Sequence, residues 1–384
     1  MTLKLIARVR LGLAACALLA GFSAPVQADP GVTADTLHLG MSSPFSGPNA
    51  DYGIAMRRGV VAAFDEVNAT GGIGGRKLTL TALDDGYETE RTVANTQALI
   101  DTHQVFALLA FYGSSPTTAA MKVFSGAGVP LVGTISGADT LRTPVNRHMF
   151  NLRASYADET AAIVNHLVAL GITRIAVFYQ DDGFGQSGLT GVTEGLKAHQ
   201  LAPVATGTVP RNSVEVSAAV AQIAKSSPQA VIMVTLLKPT AAFVTAMRAA
   251  GYTPQFVTLS PVGANLLAGE MGEANARGIG ITQVMPYPWN DALPLIRRYR
   301  KALTMQDKNA EPDYYSLEGY VTGRVMIEAL QRISGPPTRE KLIASLEHAP
   351  IDLGGHRVSF TPNDHGGAHE VDLTIIGRNG RILR

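Results

Sequence analysis

Short apolar runs alternate with amphipathic helical patterns between residues 36 and 133. Residues 36–41, 77–84, 106–111 and 129–133 are rich in the apolar and β-branched residues that strands favour. The segments between them repeat apolar residues at three- and four-residue intervals, which is the spacing of a helix with one buried face. Because parallel strands need helical connections, this alternation predicts a parallel sheet with helices on both faces.

The same alternation starts again after residue 157. We predict a helix that ends before Gly171, a residue type favoured just past a helix C-terminus. Further strands are predicted at residues 174–180, 204–209, 230–235 and 255–260, with helices near 188–199, 214–224 and 240–250. This set of strand–helix units is long enough to form a second doubly wound lobe.

The pattern changes after Gly280. Three helices are predicted near residues 293–305, 314–333 and 339–347. Because consecutive helices do not extend a parallel sheet, we expect them to pack back on the first lobe. The β-type segments at 357–360 and 371–376 then return to the second lobe.

These elements predict an α/β protein of two doubly wound parallel-sheet lobes joined by a hinge of three chain crossings. We assign residues 29–156 and 285–355 to lobe 1, and residues 157–284 and 356–384 to lobe 2. A few connecting residues in such a hinge can absorb the rotation that opens and closes a cleft between the lobes.

The first 28 residues have the layout of a cleavable secretory signal. Three basic residues, at positions 4, 8 and 10, precede an apolar run at 11–21, and residues 24–28 (Ala-Pro-Val-Gln-Ala) resemble a cleavage site. The apolar run is shorter than the ~20 residues of a membrane-spanning helix. The pattern predicts a periplasmic protein whose first mature residue is Asp29.

Lipidation at Cys16 is the alternative, because Leu13-Ala14-Ala15-Cys16 resembles a bacterial lipoprotein cleavage site. Only residues 11–15 separate Arg10 from Cys16, so the apolar segment before that cut would be very short. Cleavage after Ala28 would leave a mature chain without cysteine, and the core alone would stabilise it.

The charge balance argues against nucleic acid as a partner. The signal contains three of the 32 basic residues and none of the 31 acidic ones, so 29 basic and 31 acidic residues remain. A net charge of −2 in the mature chain provides no basic surface excess for nucleic acid or an anionic membrane.

Two potential cofactor motifs are incomplete. Residues 183–188 match G-x-G-x-x-G between a strand and a helix, but residues 204–209 lack the acidic residue of a dinucleotide site. His356, His365 and His369 lie close in sequence, but their spacing matches no standard zinc site. We therefore expect neither cofactor nor metal, and we interpret the glycines as a turn where backbone approaches closely.

Hydroxyl-bearing loops follow two neighbouring strands. Tyr112-Gly113-Ser114-Ser115 comes after the strand at 106–111, and Thr134-Ile135-Ser136-Gly137 comes after the next strand. Ligands of open α/β sheets bind beyond the carboxyl ends of the strands. Hydroxyls and the free N–H groups of a first helical turn suit a carboxylate. Ordinary helix capping by Ser and Thr explains the same residues equally well.

Several segments together resemble the leucine/isoleucine/valine-binding proteins, which are type I periplasmic binding proteins of ABC importers. The resemblance covers nearly the whole mature chain. It is carried by residues 41–48 (Met-Ser-Ser-Pro-Phe-Ser-Gly-Pro), 52–53 (Tyr-Gly), 66–75 (Glu-Val-Asn-Ala-Thr-Gly-Gly-Ile-Gly-Gly), 84–85 (Asp-Asp), 113–115 (Gly-Ser-Ser), 249–251 (Ala-Ala-Gly) and 318–320 (Glu-Gly-Tyr). These motifs are specific for the family but not for the ligand.

The resemblance implies that two lobes close on an amino acid. It assigns the ligand's carboxylate and ammonium to Ser114 and to Ile135, Ser136 and Gly137, partly through backbone groups. Tyr52 matches an aromatic residue of the side-chain pocket. Phe184 matches an aromatic residue that the second lobe contributes on closure.

Two positions depart from the family pattern. The acidic partner of the ligand ammonium falls near Ser260, which is not acidic, and a second-lobe aromatic falls at Leu236, which is aliphatic. An ammonium would be poorly neutralised there, and burying an unpaired charge is costly. A carboxylate without an amine is therefore a serious competitor to an amino acid.

The sequence thus predicts a monomeric periplasmic solute-binding protein that captures a small carboxylate and delivers it to an inner-membrane ABC permease. An amino acid, branched-chain above all, is the family default. An aromatic or oxo acid is the alternative ligand. A sensory protein that presents ligand to a receptor is the alternative function, and a secreted hydrolase or cofactor-dependent enzyme is the rival of another class.

Overall fold

Buried strands build the first sheet of the computed structural model, which describes residues 29–384. The predicted signal segment and Cys16 lie outside the described residues. The first elements are β1 (Thr36–Ser43), α1 (Ala50–Asn68), β2 (Lys77–Asp84), α2 (Thr89–Asp101), β3 (Ala107–Tyr112), α3 (Ser114–Gly126), β4 (Leu131–Ile135) and β5 (Met149–Phe150). Their strands are all parallel, in the order β2-β1-β3-β4-β5.

The centre of this sheet is covered on both faces. Every residue of β3 and of β4 is buried, as expected for parallel strands with helices on either side. Strands β1, β3 and β4 end at Ser43, Tyr112 and Ile135, and Tyr112 is paired with Ile135 across the ladder. Their carboxyl ends therefore form one polar edge of the sheet.

A second parallel sheet follows in the chain. Its elements are α4 (Tyr156–Ala169), β6 (Ile175–Gln180), α5 (Gly183–Ala198), β7 (Thr206–Val209), α6 (Ser217–Lys225), β8 (Ala230–Val234), α7 (Leu237–Ala249), β9 (Gln255–Thr258), α8 (Ala264–Met271), α9 (Glu273–Ala276) and β10 (Gly280–Gln283). The strands lie in the order β10-β9-β8-β6-β7. The sequence prediction missed α8, α9 and β10, which are short and carry weak periodicity.

Three helices then return to the first lobe, as predicted: α10 (Pro294–Gln306), α11 (Tyr314–Gln331) and α12 (Arg339–His348). Helices α11 and α1 pack so closely that their backbones are in contact at two glycines. A Cβ on Gly59 would lie 1.9 Å from the Ser316 carbonyl oxygen, and one on Gly319 would lie 2.1 Å from that of Met56. These two glycines therefore allow a helix contact that no larger residue would permit.

The chain ends in the second sheet. After a small hairpin of β11 (Ile351–Asp352) and β12 (Arg357–Val358), β13 (Asp372–Ile376) pairs antiparallel with β10, and β14 (Ile382–Leu383) pairs with β13. The chain therefore crosses between the lobes three times, which confirms the predicted fold class. The exact residues that bound each lobe stay a prediction. In residues 29–384, no helix has both the length and the apolar content of a membrane span.

Candidate functional site

The two hydroxyl-bearing loops meet at the polar edge of the first sheet. Ser114 Oγ lies 2.8 Å from Ser136 Oγ, and Ser136 Oγ accepts a hydrogen bond from Ala138 N at 3.1 Å. The cap of α3 is Gly113, not a serine, and its φ of 89° suits only glycine. Ser114 and Ser115 therefore begin the helix instead of capping it, which leaves their hydroxyls for other partners.

The neighbouring backbone groups are partly used already. The Ile135 carbonyl accepts from Gly113 N at 3.1 Å, and the Gly137 carbonyl accepts from Tyr156 N at 2.8 Å. Both residues lie at the site, as the resemblance implied, but these carbonyls have structural partners. In the first turn of α3 only the N–H groups of Ser114 and Ser115 lack partners within the helix, because Pro116 has no N–H and Thr117 N donates to the Gly113 carbonyl at 3.2 Å.

Four buried tyrosines, Tyr52, Tyr87, Tyr112 and Tyr315, surround this edge, and we call them the tyrosine cluster. The ring of Tyr112 stacks on that of Tyr52 at 5.3 Å between centroids and meets that of Tyr87 edge-on at 5.4 Å. Tyr52 also meets Tyr315 at 4.8 Å. Burial raises the pKa of all four phenols, so they are neutral hydrogen-bonding groups around neutral pH.

The second lobe closes over the tyrosine cluster. Leu237 N donates to the Tyr52 hydroxyl at 3.2 Å, which places the neighbouring Leu236 in the cleft. The hydroxyl of Tyr315 donates to the Ser260 carbonyl at 3.2 Å. Phe184 packs against Tyr156 with 5.1 Å between ring centroids.

Helices α3 and α5 face each other across the cleft. Ser115 Oγ donates to Asp182 Oδ2 at 3.1 Å and accepts from Gly183 N at the same distance. Together with the preceding contacts, the structure brings all ten predicted site residues to one interlobe cleft: Tyr52, Tyr112, Ser114, Ser115, Ile135, Ser136, Gly137, Phe184, Leu236 and Ser260. Their ligand-binding roles stay predictions.

A buried charged network at the same cleft was missed by the sequence analysis. Arg153 follows β5, and its Nε lies 3.1 Å from Glu318 Oε1 while its Nη2 donates to Ser260 Oγ at 2.9 Å. Ser260 in turn donates from Oγ and N to the buried Glu159 carboxylate, at 3.0 and 2.8 Å. An acidic side chain, Glu159 of α4, thus lies beside position 260 and is hydrogen-bonded to Ser260.

The pKa shifts in this network reflect burial and pairing. Burial opposes the charge on Arg153, but the carboxylates of Glu318 and Glu159 outweigh it and raise the pKa of the guanidinium. Burial raises the pKa of the Glu318 carboxyl, and the Arg153 charge opposes that rise. The opposite charges of Arg153 and Glu318 thus stabilise each other in a buried site, where either charge alone would be costly.

A cavity of about 250 Å³ opens beside the tyrosine cluster. It lies on the Tyr315 side and is lined in part by Ile54, Ala55, Gly263 and Leu266. Its walls come from both lobes and are mainly apolar. Ser114 and Ser136 are buried and do not line this cavity.

Residues 36–381 match the periplasmic binding protein family. The chain belongs to this family. It is 26% identical over 271 residues to Leu/Ile/Val-binding protein homolog 7 of Brucella abortus, an alignment that spans 65% of this chain and 66% of that relative. The family and its structural neighbours are solute-binding proteins, not enzymes.

Two solved structures are similar over nearly the whole chain. A possible leucine/isoleucine/valine-binding protein from Rhodopirellula baltica SH 1 is 37% identical, with a TM-score of 0.87 and coverage of 91% of this chain and 97% of the other. A substrate-binding periplasmic protein from Ralstonia solanacearum is 33% identical, with a TM-score of 0.85 and coverage of 90% and 99%. The resemblance to the leucine/isoleucine/valine-binding type inferred from the sequence is confirmed.

In this periplasmic binding protein the glycine-rich motif at 183–188 serves packing. Asp182 caps α5 and accepts from Phe184 N at 3.0 Å and Gly185 N at 3.3 Å, so a carboxylate occupies the place of a phosphate. A Cβ on Gly185 would lie 1.8 Å from the Gln180 carbonyl oxygen. Backbone packing explains Gly185, and the Asp182 cap explains where the helix begins. Neither feature requires a bound nucleotide.

Two of the three histidines, His365 and His369, have side-chain partners, whereas the buried His356 Nε2 has no hydrogen-bond partner in the described residues. His365 stacks on Phe150 at 4.0 Å, and its Nε2 lies 3.0 Å from Glu347 Oε1. His369 lies 3.3 Å from Asp158. In the part of the chain that the structure describes, no group of three or more His, Cys, Asp or Glu residues could hold a metal ion.

The sequence contained a signal for part of the buried charged network of Arg153, Glu159 and Glu318. Glu318 belongs to one of the family motifs, and Arg153 lies three residues after the end of β5, a two-residue strand that the sequence pattern did not predict. Glu159 lies on the buried side of a helix and offered no such signal.

Proposed function

We propose that this periplasmic binding protein captures a small carboxylate-bearing solute in the interlobe cleft and delivers it to an ABC permease in the inner membrane. The observation that carries the proposal is the convergence of buried hydroxyl and aromatic groups from both lobes on one cleft. Closing both lobes on a solute buries it, and the closed form is then a distinct surface for a permease to recognise. We expect the protein to act as a monomer.

The serine pair supports a carboxylate as the bound group. Because Ser136 Oγ accepts from Ala138 N, its proton can go to Ser114 Oγ, which leaves the Ser114 proton for a ligand oxygen. The first-turn N–H groups of α3 and the positive end of the helix dipole favour a negative charge at the same place.

The tyrosine cluster and the adjacent cavity support an apolar or aromatic body. Aromatic side chains pack well on flat or branched apolar groups. Proteins that share this fold at 16% and 18% identity have been solved with valine and with benzoate, so the fold accommodates an amino acid and an aromatic acid alike. The two candidate ligands are accordingly a branched-chain or other amino acid and a non-amino carboxylate.

Native mass spectrometry of the protein, expressed with its own leader and purified gently from the periplasm, tests this proposal. We expect one small carboxylate per chain, released on denaturation, and a protein mass that begins at Asp29. A retained nucleotide, or turnover of the bound solute, would contradict a transport role. A diacylglycerol-modified Cys16 would contradict the predicted cleavage site.

A further inference from the structure

Arg153 holds a hydrogen-bond donor that the protein itself does not use. Its side chain is 1% exposed, and its Nε and Nη1 are both buried without a hydrogen-bond partner among residues 29–384, although Nε lies within ion-pair distance of Glu318. Nε faces Glu318 and Nη2 donates to Ser260, so Nη1 is the remaining branch of the guanidinium. A buried donor left unsatisfied is costly, and such groups in native proteins are usually met by water or ligand.

The guanidinium that carries the unused donor lies at a contact between the two lobes. Its neighbours Ser260 and Tyr315 are joined across the lobes by the bond from the Tyr315 hydroxyl to the Ser260 carbonyl. Tyr315 belongs to the tyrosine cluster, and the hydroxyl of Tyr112 in the same cluster is likewise buried without a partner within the described chain. Arg153 and the tyrosine cluster therefore each have an unpartnered donor, and Ser260 and Tyr315 connect the two.

The acidic groups of the network are already engaged. Glu159 accepts from Ser260 N, Ser260 Oγ and Thr282 Oγ1, and Glu318 faces Arg153. Arg142 adds a second guanidinium, whose Nη2 donates to the Arg153 carbonyl at 2.8 Å. Asp139 and Asp158 lie near Arg142, so each arginine has opposite charges nearby, and Arg153 Nη1 remains an N–H donor without a partner in the described residues.

We propose that Arg153 Nη1 donates to an uncharged oxygen beside the ligand carboxylate, so that the site selects 2-oxo carboxylates over the matching 2-amino acids. This inference rests on the proposed function and specifies its ligand class. A carbonyl oxygen accepts the unused N–H, whereas an ammonium has no acceptor to offer and is repelled by the guanidinium. The carboxylate itself stays with Ser114 and the N-terminus of α3.

Two ligand pairs that differ only at this position test the inference by calorimetry: 4-methyl-2-oxopentanoate with L-leucine, and phenylpyruvate with L-phenylalanine. We expect the parent protein to bind the 2-oxo acid of at least one pair about tenfold or more tightly than its amino acid. Preference for the amino acid in either pair, or no binding of all four compounds, would overturn the inference.

The double variant Arg153→Met/Glu318→Gln assigns the preference to Arg153. Removing both charges avoids leaving one buried and unpaired, so the fold tolerates the change better than Arg153→Met alone. We expect 2-oxo acid affinity to fall roughly 10- to 100-fold, the size of a hydrogen bond from a charged donor, and the preference over the amino acid to disappear. An unchanged preference in this variant would overturn the inference.

Arg324→Met/Glu328→Gln is the matched control. Arg324 is a buried arginine on the same helix as Glu318, it pairs with Glu328, and its Nε is also buried without a hydrogen-bond partner in the described residues. It lies toward the far end of α11, beside Glu66, so both affinities should match the parent. If the four probes fail while the purified protein retains another carboxylate, the proposed function stands and only this inference fails.

Discussion

The backbone conformation at Gly113 determines how the next two residues, Ser114 and Ser115, are placed at the start of α3. A Cβ at this position would lie 2.4 Å from Cε2 of Tyr87, so a larger residue would displace the tyrosine ring. Glycine lets β3 turn directly into α3 and places Ser114 as the first helical residue. The sequence around Ser114 is equally consistent with ligand binding and with helix capping. The geometry removes capping and leaves the hydroxyl directed at Ser136.

Replacing Ser114 with alanine should therefore weaken ligand binding far more than it affects folding. Loss of one hydrogen bond to a charged group, about 1.5–3 kcal/mol, corresponds to roughly 10- to 100-fold in the dissociation constant. Calorimetry with the natural ligand identified by mass spectrometry measures the affinity, and thermal unfolding measures the stability.

Ser125→Ala is the control for this experiment. Ser125 lies eleven positions later on α3, about 16 Å along the helix axis, and its Oγ accepts from Asn146 outside the cleft. We expect parent-like affinity. If Ser114→Ala bound the ligand as tightly as the parent does, the carboxylate would have to bind elsewhere in the cleft.

At the scale of elements, α5 contains a glycine motif that resembles a nucleotide-binding fingerprint but serves helix packing. Its glycines lie where the helix approaches other backbone and side chains. A Cβ on Gly188 would lie 2.3 Å from Cγ1 of Val234 on β8, whereas one on Gly195 of the same helix would lie 3.4 Å from Cγ2 of Val164. The spacing that resembles a nucleotide fingerprint is therefore required, in part, by helix–sheet packing.

Gly188→Ala should destabilise the protein, because the added methyl forces α5 away from β8. Overpacking costs about 1–3 kcal/mol, and the better helix propensity of alanine offsets up to about 1 kcal/mol of it. We expect the free energy of unfolding to fall by about 1–2 kcal/mol in urea denaturation. Gly195→Ala, with ordinary contact distances, should be neutral or stabilising. Equal effects at both positions would rule out packing at Gly188 as the cause.

At the scale of the whole molecule, the lobes are in contact across the cleft. Beyond the site, Arg211 of the second lobe lies 3.3 Å from Glu88 of the first, and Asn49 donates to Asn212 at 3.1 Å. Partly exposed polar contacts of this kind contribute little individually. A ligand held by both lobes would instead provide most of the free energy that keeps the cleft closed, about 2.7 kcal/mol at a concentration of 100 times Kd.

Small-angle scattering should consequently show compaction when the protein is saturated with its ligand. Without ligand, the weak contacts at the rim allow the hinge to open, and the radius of gyration should be larger. Ser114→Ala at a ligand concentration that saturates only the parent should keep the larger value. An identical radius of gyration with and without saturating ligand would contradict closure as the binding mechanism.

The alternation of strands and helices was enough to predict two parallel-sheet lobes, because strand and helix periodicities are local and right-handed crossovers leave few topologies. It also located Ser114 and Ser136, since the carboxyl ends of neighbouring parallel strands must meet at one edge. Short elements such as β10 and α9 escaped prediction because so few residues carry little periodic signal.

Only the tertiary structure decided which distant side chains share the cleft. Arg153, Glu159 and Glu318 come from the first crossing, from α4 and from α11, and no local pattern relates them. Their pairing depends on two consequences of the three crossings. Helix α11 packs against the first lobe, and Ser260 packs against the first crossing segment, which contains Arg153. A lone arginine in a sequence is equally consistent with an exposed side chain. Only the structure shows that Arg153 is buried beside two carboxylates, with Nη1 lacking a partner in the described residues, and its proposed role rests on that.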